Sequence, residues 1–225
     1  MSHAPEEVAE MAQIASALVL NIGTLTPDFI GAMKIALVSA NQKGIPVILD
    51  VCGAGATKFR DCSCLELLEA GKIDIIKGNA SEIARISGAN VQTRGVDSTD
   101  VGADLVALAR ELARARDTVV VITGQVDILA QGDKICLVKN GHPMMTNVVG
   151  TGCMAASVIA TFAAVQPDLL LLAAAAGLSC YEVAAELAVE KCAGPASFKE
   201  RLFDSFFHLD RETCNRMQKL EFLGA

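Results

Sequence analysis

The stretch IPVILDVCGAGATKFR, residues 45–60, runs from an unbroken apolar segment through one aspartate into a glycine-rich turn. An apolar run of this length without polar alternation predicts a strand covered on both faces, and such strands belong to parallel sheets flanked by helices. The unit recurs on either side. Residues 4–16 carry Val8, Met11, Ile14 and Ala15 at helical spacing and lead into the apolar run ALVLNIG. Thr26 with Pro27 predicts the start of the next helix and Gly44 its end. Downstream, a helix over about 61–70 stops at Gly71, KIDIIKG reads as a third strand, ASEIARISG as a short helix, about 101–115 as another helix and TVVVIT as a fourth strand.

After Thr123 the pattern changes. VDILAQGDKICLVKNGH predicts two short strands joined at Gln131-Gly132, with Asn140-Gly141 as a hairpin signal, hence an antiparallel edge. From residue 151 onward the sequence reads as helix, Ala-rich over 151–165 and 168–192 and amphipathic near 196–208. No linker or composition break divides it, so residues 1–225 are expected to form one α/β domain, a mostly parallel sheet with helices on both faces and an antiparallel edge.

Composition narrows the function. Hydrophobic residues make up 52% of the 225 and aromatics only 4%, and mean hydropathy is +0.42, which suits an aliphatic core and not disorder. A net charge of −7, no Trp and one Tyr argue against a nucleic-acid surface. The eight cysteines show no CxxC pair and no histidines at zinc spacing, so they read as reduced thiols in a cytoplasmic protein, mostly packed as small hydrophobes. The longest apolar run, Leu169 to Tyr181, is only about 13 residues, short of the ~20 that span a bilayer, and no signal peptide opens the chain. A small-molecule enzyme with neither membrane nor nucleic-acid partner is expected.

Four loops follow strands at what would be the carboxyl edge of the sheet, where open α/β sheets place ligands: DVCGAGATKFR, KGNASEI, TGQVD and VVGTGC. No P-loop and no GxGxxG is present. In the last loop, Gly150, Thr151 and Gly152 form a turn into a helix, where free N–H groups and the helix dipole favour an anion. Cys153 stands at that point, within reach of whatever anion binds. Asp50 ends a strand ahead of Gly53 and Gly55, either a tight turn or a segment folded around phosphate. Asn79 and Glu82 have capping-box spacing, and Glu82 with Asp50 could equally hold the water shell of a Mg²⁺ ion. Thr123 ends a strand; its hydroxyl could cap a turn or bond a phosphate.

Together LNIGTL, GAGAT.FR, GNASEI, GVDS, TG.VD, GTGC and the late AAELA.EK..GP.SF resemble the hydroxyethylthiazole kinase family of the ribokinase-like superfamily, over essentially the whole chain. The resemblance implies phosphorylation of the primary alcohol of 4-methyl-5-(2-hydroxyethyl)thiazole in thiamine salvage by Mg·ATP, and a homotrimer with active sites at subunit interfaces. It implies that Lys77 and Thr123 contact ATP, Met1 and Gly150 the thiazole, Asp50 and Glu82 the magnesium shell, and that Cys153 occupies the catalytic position. Lys77 stands where the family pattern has Arg, keeping the charge without the planar fork, and Val51-Cys52 replaces Pro-Val after Asp50. The family pattern also has about forty residues upstream of the level of Met1, with a strand, a helix and part of the pocket. Other expectations consistent with these residues are a kinase of hydroxymethylpyrimidine or pyridoxal, or an inert nucleotide-binding subunit.

Overall fold

The computed structural model describes residues 3–88 and 100–223. In chain order, α1 (Val8–Ile14) precedes β1 (Leu18–Asn21), followed by α2 (Pro27–Lys43), β2 (Val47–Asp50), α3 (Lys58–Ala70), β3 (Ile75–Asn79), α4 (Ala80–Ile86), α5 (Asp100–Arg116) and β4 (Val119–Thr123). Strands β5 (Asp127–Gln131) and β6 (Lys134–Val138) come next, then α6 (Thr151–Val165), α7 (Leu170–Val189), α8 (Pro195–Phe207), α9 (Arg211–Met217) and β7 (Leu220–Leu223). The helix starts lie where side-chain oxygens replace missing backbone acceptors: Thr26 accepts the N–H of Phe29, and Thr57 that of Arg60. Gly44 ends α2 with φ 76°, a left-handed conformation that costs other residues strain.

The seven strands form one sheet in the order β1-β2-β3-β4-β5-β6-β7. β1 to β4 pair in parallel, and β4 to β7 antiparallel, so the antiparallel part is as extensive as the parallel part. Alternate residues along each strand serve two cores. Val47 and Leu49, Ile76, and Val120 and Ile122 face the layer of α2 to α5. Ile48, Ile75, and Val119 and Val121 face α6, α7 and α8. The helices on both faces are the α/β arrangement that the apolar strands predict.

Three features depart from the expectations. Asn140-Gly141 is not a hairpin: Asn140 is buried, and its side chain binds Ser179, Glu186, the carbonyl of Met217 and the N–H of Lys219. The C-terminal region is not all helix, since β7 pairs with β6 and closes that side of the sheet. Helix α7 continues through Glu182 and Glu186, so with its preceding turn it is long and apolar enough to cross a membrane; two-thirds of its apolar window is buried inside the protein, against the sheet. Glu186 accepts there from Asn140, the Gly141 N–H and Lys219.

Candidate active site

The period-two geometry of the strands builds the site. Asn21, Asp50 and Lys77 are register neighbours across β1, β2 and β3. Two residues earlier, Ile48 and Ile75 face α6 and α7, so Asp50 and Lys77 point to the same side. There the three form a chain. Asn21 Nδ2 donates to Asp50 Oδ2 at 2.8 Å, and Lys77 Nζ donates to Asp50 Oδ1 at 3.4 Å. Asp50 is 1% and Lys77 4% exposed, a buried ion pair. Burial is the main influence on Asp50 and pushes its carboxyl above the usual range, opposed by the charge and hydrogen bond of Lys77.

Above this row stands the start of α6. Gly150 caps it at φ 100° with no side-chain bond to the first turn, and the first intrahelical bond runs from Met154 N–H to the Gly150 carbonyl. The N–H groups of the first turn are therefore turned outward, at the positive end of the helix. The Thr151 hydroxyl is turned inward, donating to the carbonyls of Met145 and Val148, and the Thr151 carbonyl accepts from Tyr181 Oη at 3.1 Å. A Cβ on Gly152 would lie 3.2 Å from Lys77 Nζ. That glycine lets the ammonium approach the start of α6 closely. Cys153 is exposed, and its Sγ accepts from Asn21 Nδ2 at 3.4 Å.

Glu82 satisfies the capping expectation in full. Its Oε2 accepts the Asn79 N–H at 2.8 Å, while the Asn79 side chain accepts the Glu82 N–H at 2.9 Å. Its other oxygen, Oε1, accepts the Gly53 N–H at 2.7 Å and so ties the loop after β2 to the start of α4. Thr123 pairs with Asn79 across the sheet and donates to the Gly78 carbonyl at 3.4 Å, leaving oxygen lone pairs to accept. Each Asp50 and Glu82 oxygen already receives a donor, and no cluster of three metal-ligating side chains occurs among the described residues. The half-buried Glu82 fits a hydrated cation through its water shell, whereas Asp50 is engaged as the counterion of Lys77. Met1 and the GVDS motif at 95–98 lie outside the described residues.

A hydroxyethylthiazole kinase family model matches residues 1–212. The chain belongs to the hydroxyethylthiazole kinase family. It is 49% identical to the hydroxyethylthiazole kinase of Methanosarcina mazei over 99% of this chain and 85% of that one. For that of Desulforudis audaxviator the figures are 47%, 99% and 81%. The solved hydroxyethylthiazole kinase of Pyrococcus horikoshii superposes with a TM-score of 0.89 at 35% identity, covering 100% of this chain and 84% of the other. A ribokinase-like superfamily protein of Enterococcus faecalis has a TM-score of 0.64 at 14% identity over 89% of this chain and 66% of its own, a likeness of fold alone.

In this member of the hydroxyethylthiazole kinase family, two residues at the site escaped the reading of the sequence. Asn21 joins the polar row, and its signal was present: LVLN, VILD and IIK each end an apolar run on a polar residue. The other is Arg60 on α3. Its guanidinium donates to the carbonyls of Ile22 and of Cys52, the latter at 3.1 Å, and to that of Gly23 at 2.8 Å, clamping the loops after β1 and β2. Nothing in GAGATKFR distinguishes that role from an exposed helical arginine.

Proposed function

We propose that this chain is an ATP-dependent hydroxyethylthiazole kinase, transferring the γ-phosphoryl group to the substrate's primary hydroxyl. One observation carries the reading: the uncapped start of α6, Lys77 beneath Gly152 and the exposed Cys153 converge at the carboxyl ends of parallel strands. Phosphoryl transfer needs charge stabilisation and positioning more than covalent chemistry. The N–H groups of the Gly150 to Gly152 turn and the Lys77 ammonium supply fixed positive charge where the transferring oxygens accumulate negative charge. Cys153 stands beside that anion site, placed to accept the proton of the attacking hydroxyl. Gly150 borders the thiazole, and Thr123 with Lys77 faces the nucleotide. Bound through water near Glu82, Mg²⁺ would neutralise phosphate charge.

The chain is read as one catalytic domain because both cores share the one sheet, and as a cytoplasmic enzyme acting on a small molecule. A homotrimer follows from the family resemblance, and the exposed apolar side chains of Met11, Ile14, Ile35 and Val38 on α1 and α2 support subunit contact. The test is phosphate transfer from ATP followed by phosphorus NMR and ADP release, with hydroxyethylthiazole, hydroxymethylpyrimidine and pyridoxal as acceptors. Preferred turnover of the thiazole is expected. Preferred turnover of another acceptor, or none with any, overturns the reading.

A further inference from the structure

Asn21 spends its whole carboxamide on the site. Its Oδ1 accepts the Gly23 N–H at 2.8 Å, which fixes which end of the amide is oxygen. The opposite end, Nδ2, has two hydrogens, and they meet Asp50 Oδ2 at 2.8 Å and Cys153 Sγ at 3.4 Å. Asp50 is in turn held by Lys77. The amide thus cannot rotate without breaking three contacts, and its second hydrogen points at the sulfur. We infer that Asn21 is a positioning residue for Cys153: its second amide hydrogen holds Sγ in the direction of the start of α6.

This rests on the kinase reading for its purpose, but not for its test. No charged side chain is bonded to the sulfur, so the Asn21 hydrogen is the polar contact that sets its direction among the described residues. Asp50 cannot substitute: it has no hydrogen to give while ionised, and it is bonded to the other hydrogen of the same Nδ2. The Cys52 thiol, half-buried on the neighbouring loop, is pushed up by burial first and by the charges of Asp50 and Glu82 next. The two thiols near Asn21 therefore differ in environment, and the one that receives the amide hydrogen is the exposed one.

The experiment measures the rate of Cys153 alkylation by iodoacetamide at neutral pH by mass spectrometry, in the full chain and without nucleotide. The exposed Cys62 serves as an internal reference in the same molecule, and the buried Cys64 reports unfolding. Asn21→Leu removes the donor, and Asn21→Asp replaces it with an acceptor. Both are expected to lower the Cys153 to Cys62 ratio about tenfold, on the scale of one lost hydrogen bond. An unchanged ratio overturns the inference, whatever the kinase assay gives. If Cys64 reacts and both variants prove unfolded, the second arm decides. Cys153→Ala, at an exposed position, is expected to shift the side-chain amide proton resonances of Asn21, and resonances that stay in place refute the contact. A loss of thiazole phosphorylation by Cys153→Ala tests the kinase reading separately.

Discussion

Replacing Glu82 by Gln separates its structural work from any work on a metal. The carboxylate accepts two backbone N–H groups, from Gly53 at 2.7 Å and from Asn79 at 2.8 Å, one on each oxygen. Glutamine keeps one acceptor and turns an NH₂ group against the other N–H, so one bond is lost and two donors face each other. Hydrogen bonds to a charged acceptor contribute about 1.5–3 kcal/mol each. Because Glu82 is half-buried and water can reach the freed N–H, the low end applies, roughly 1.5–2 kcal/mol. For a chain of this length that lowers the melting temperature by about 3–8 °C. Urea unfolding should show a reduced midpoint at unchanged slope. Glu82→Ala, which loses both bonds, should cost about twice as much. A Gln variant as stable as the parent, but needing more magnesium, would refute the clamp and leave Glu82 only a metal role.

Three further outcomes are expected. Cys153→Ala should lower kcat by about 10²-fold with little change in KM for ATP, while Cys153→Asp keeps activity, because its carboxylate accepts the same Asn21 hydrogen and can take a proton; steady-state kinetics decide this. Gly152→Ala sets a methyl group 3.2 Å from Lys77 Nζ and should raise KM for ATP several-fold at nearly unchanged stability, since a flexible ammonium moves aside; an unchanged KM would show that Lys77 does not reach the nucleotide. Burial first, and then the neighbouring Asp127, push the Glu182 carboxyl well above the usual carboxylate range. A raised carboxyl stabilises fully below its unfolded value near 4.5, and that contribution is lost as pH rises toward the folded value. Glu182→Gln removes this titration, so its stability relative to the parent should improve with pH, by up to about 1.4 kcal/mol per unit. Parallel slopes for the two proteins over pH 5 to 9 would sink this account.

The legible parts of the fold were those written locally. Buried strands appear as runs of Val, Leu and Ile, and helix ends at Thr26 and Gly44 carry the chemistry that termini require. The turn after Val149 was readable for the same reason, since a glycine able to take a left-handed conformation and a helix start are adjacent in sequence. What stayed hidden depended on partners far along the chain. Asn140-Gly141 has the composition of a tight turn, yet Asn140 is satisfied by residues 77 and 79 positions later, which no local pattern encodes. Similarly, LEFL at 220–223, four residues with Glu221 among three apolar ones, is too short to read as a strand until β6 offers it an edge. At the site, Asp50 was visible as a strand-end carboxylate, but its service as the counterion of Lys77 required the register of two neighbouring strands.

The arrangement around Asn140 also sets an order of events during synthesis. Its amide sits in place by the time β6 has formed, and Ser179 arrives 39 residues later, but the Met217 carbonyl and the Lys219 N–H come last. Until then β6 presents an unpaired row of backbone groups, the kind of edge that recruits a neighbouring chain. A nascent polypeptide therefore carries a temporary adhesive strip over Lys134–Val138 while the following helices emerge, and the arrival of Leu220–Leu223 removes it. Crowded ribosomes translating one message would be the place where this strip matters. Pulse-labelling by hydrogen exchange during refolding should find the β6 amides that pair with β7 protected after those of β2 and β3; simultaneous protection would rule out the delay.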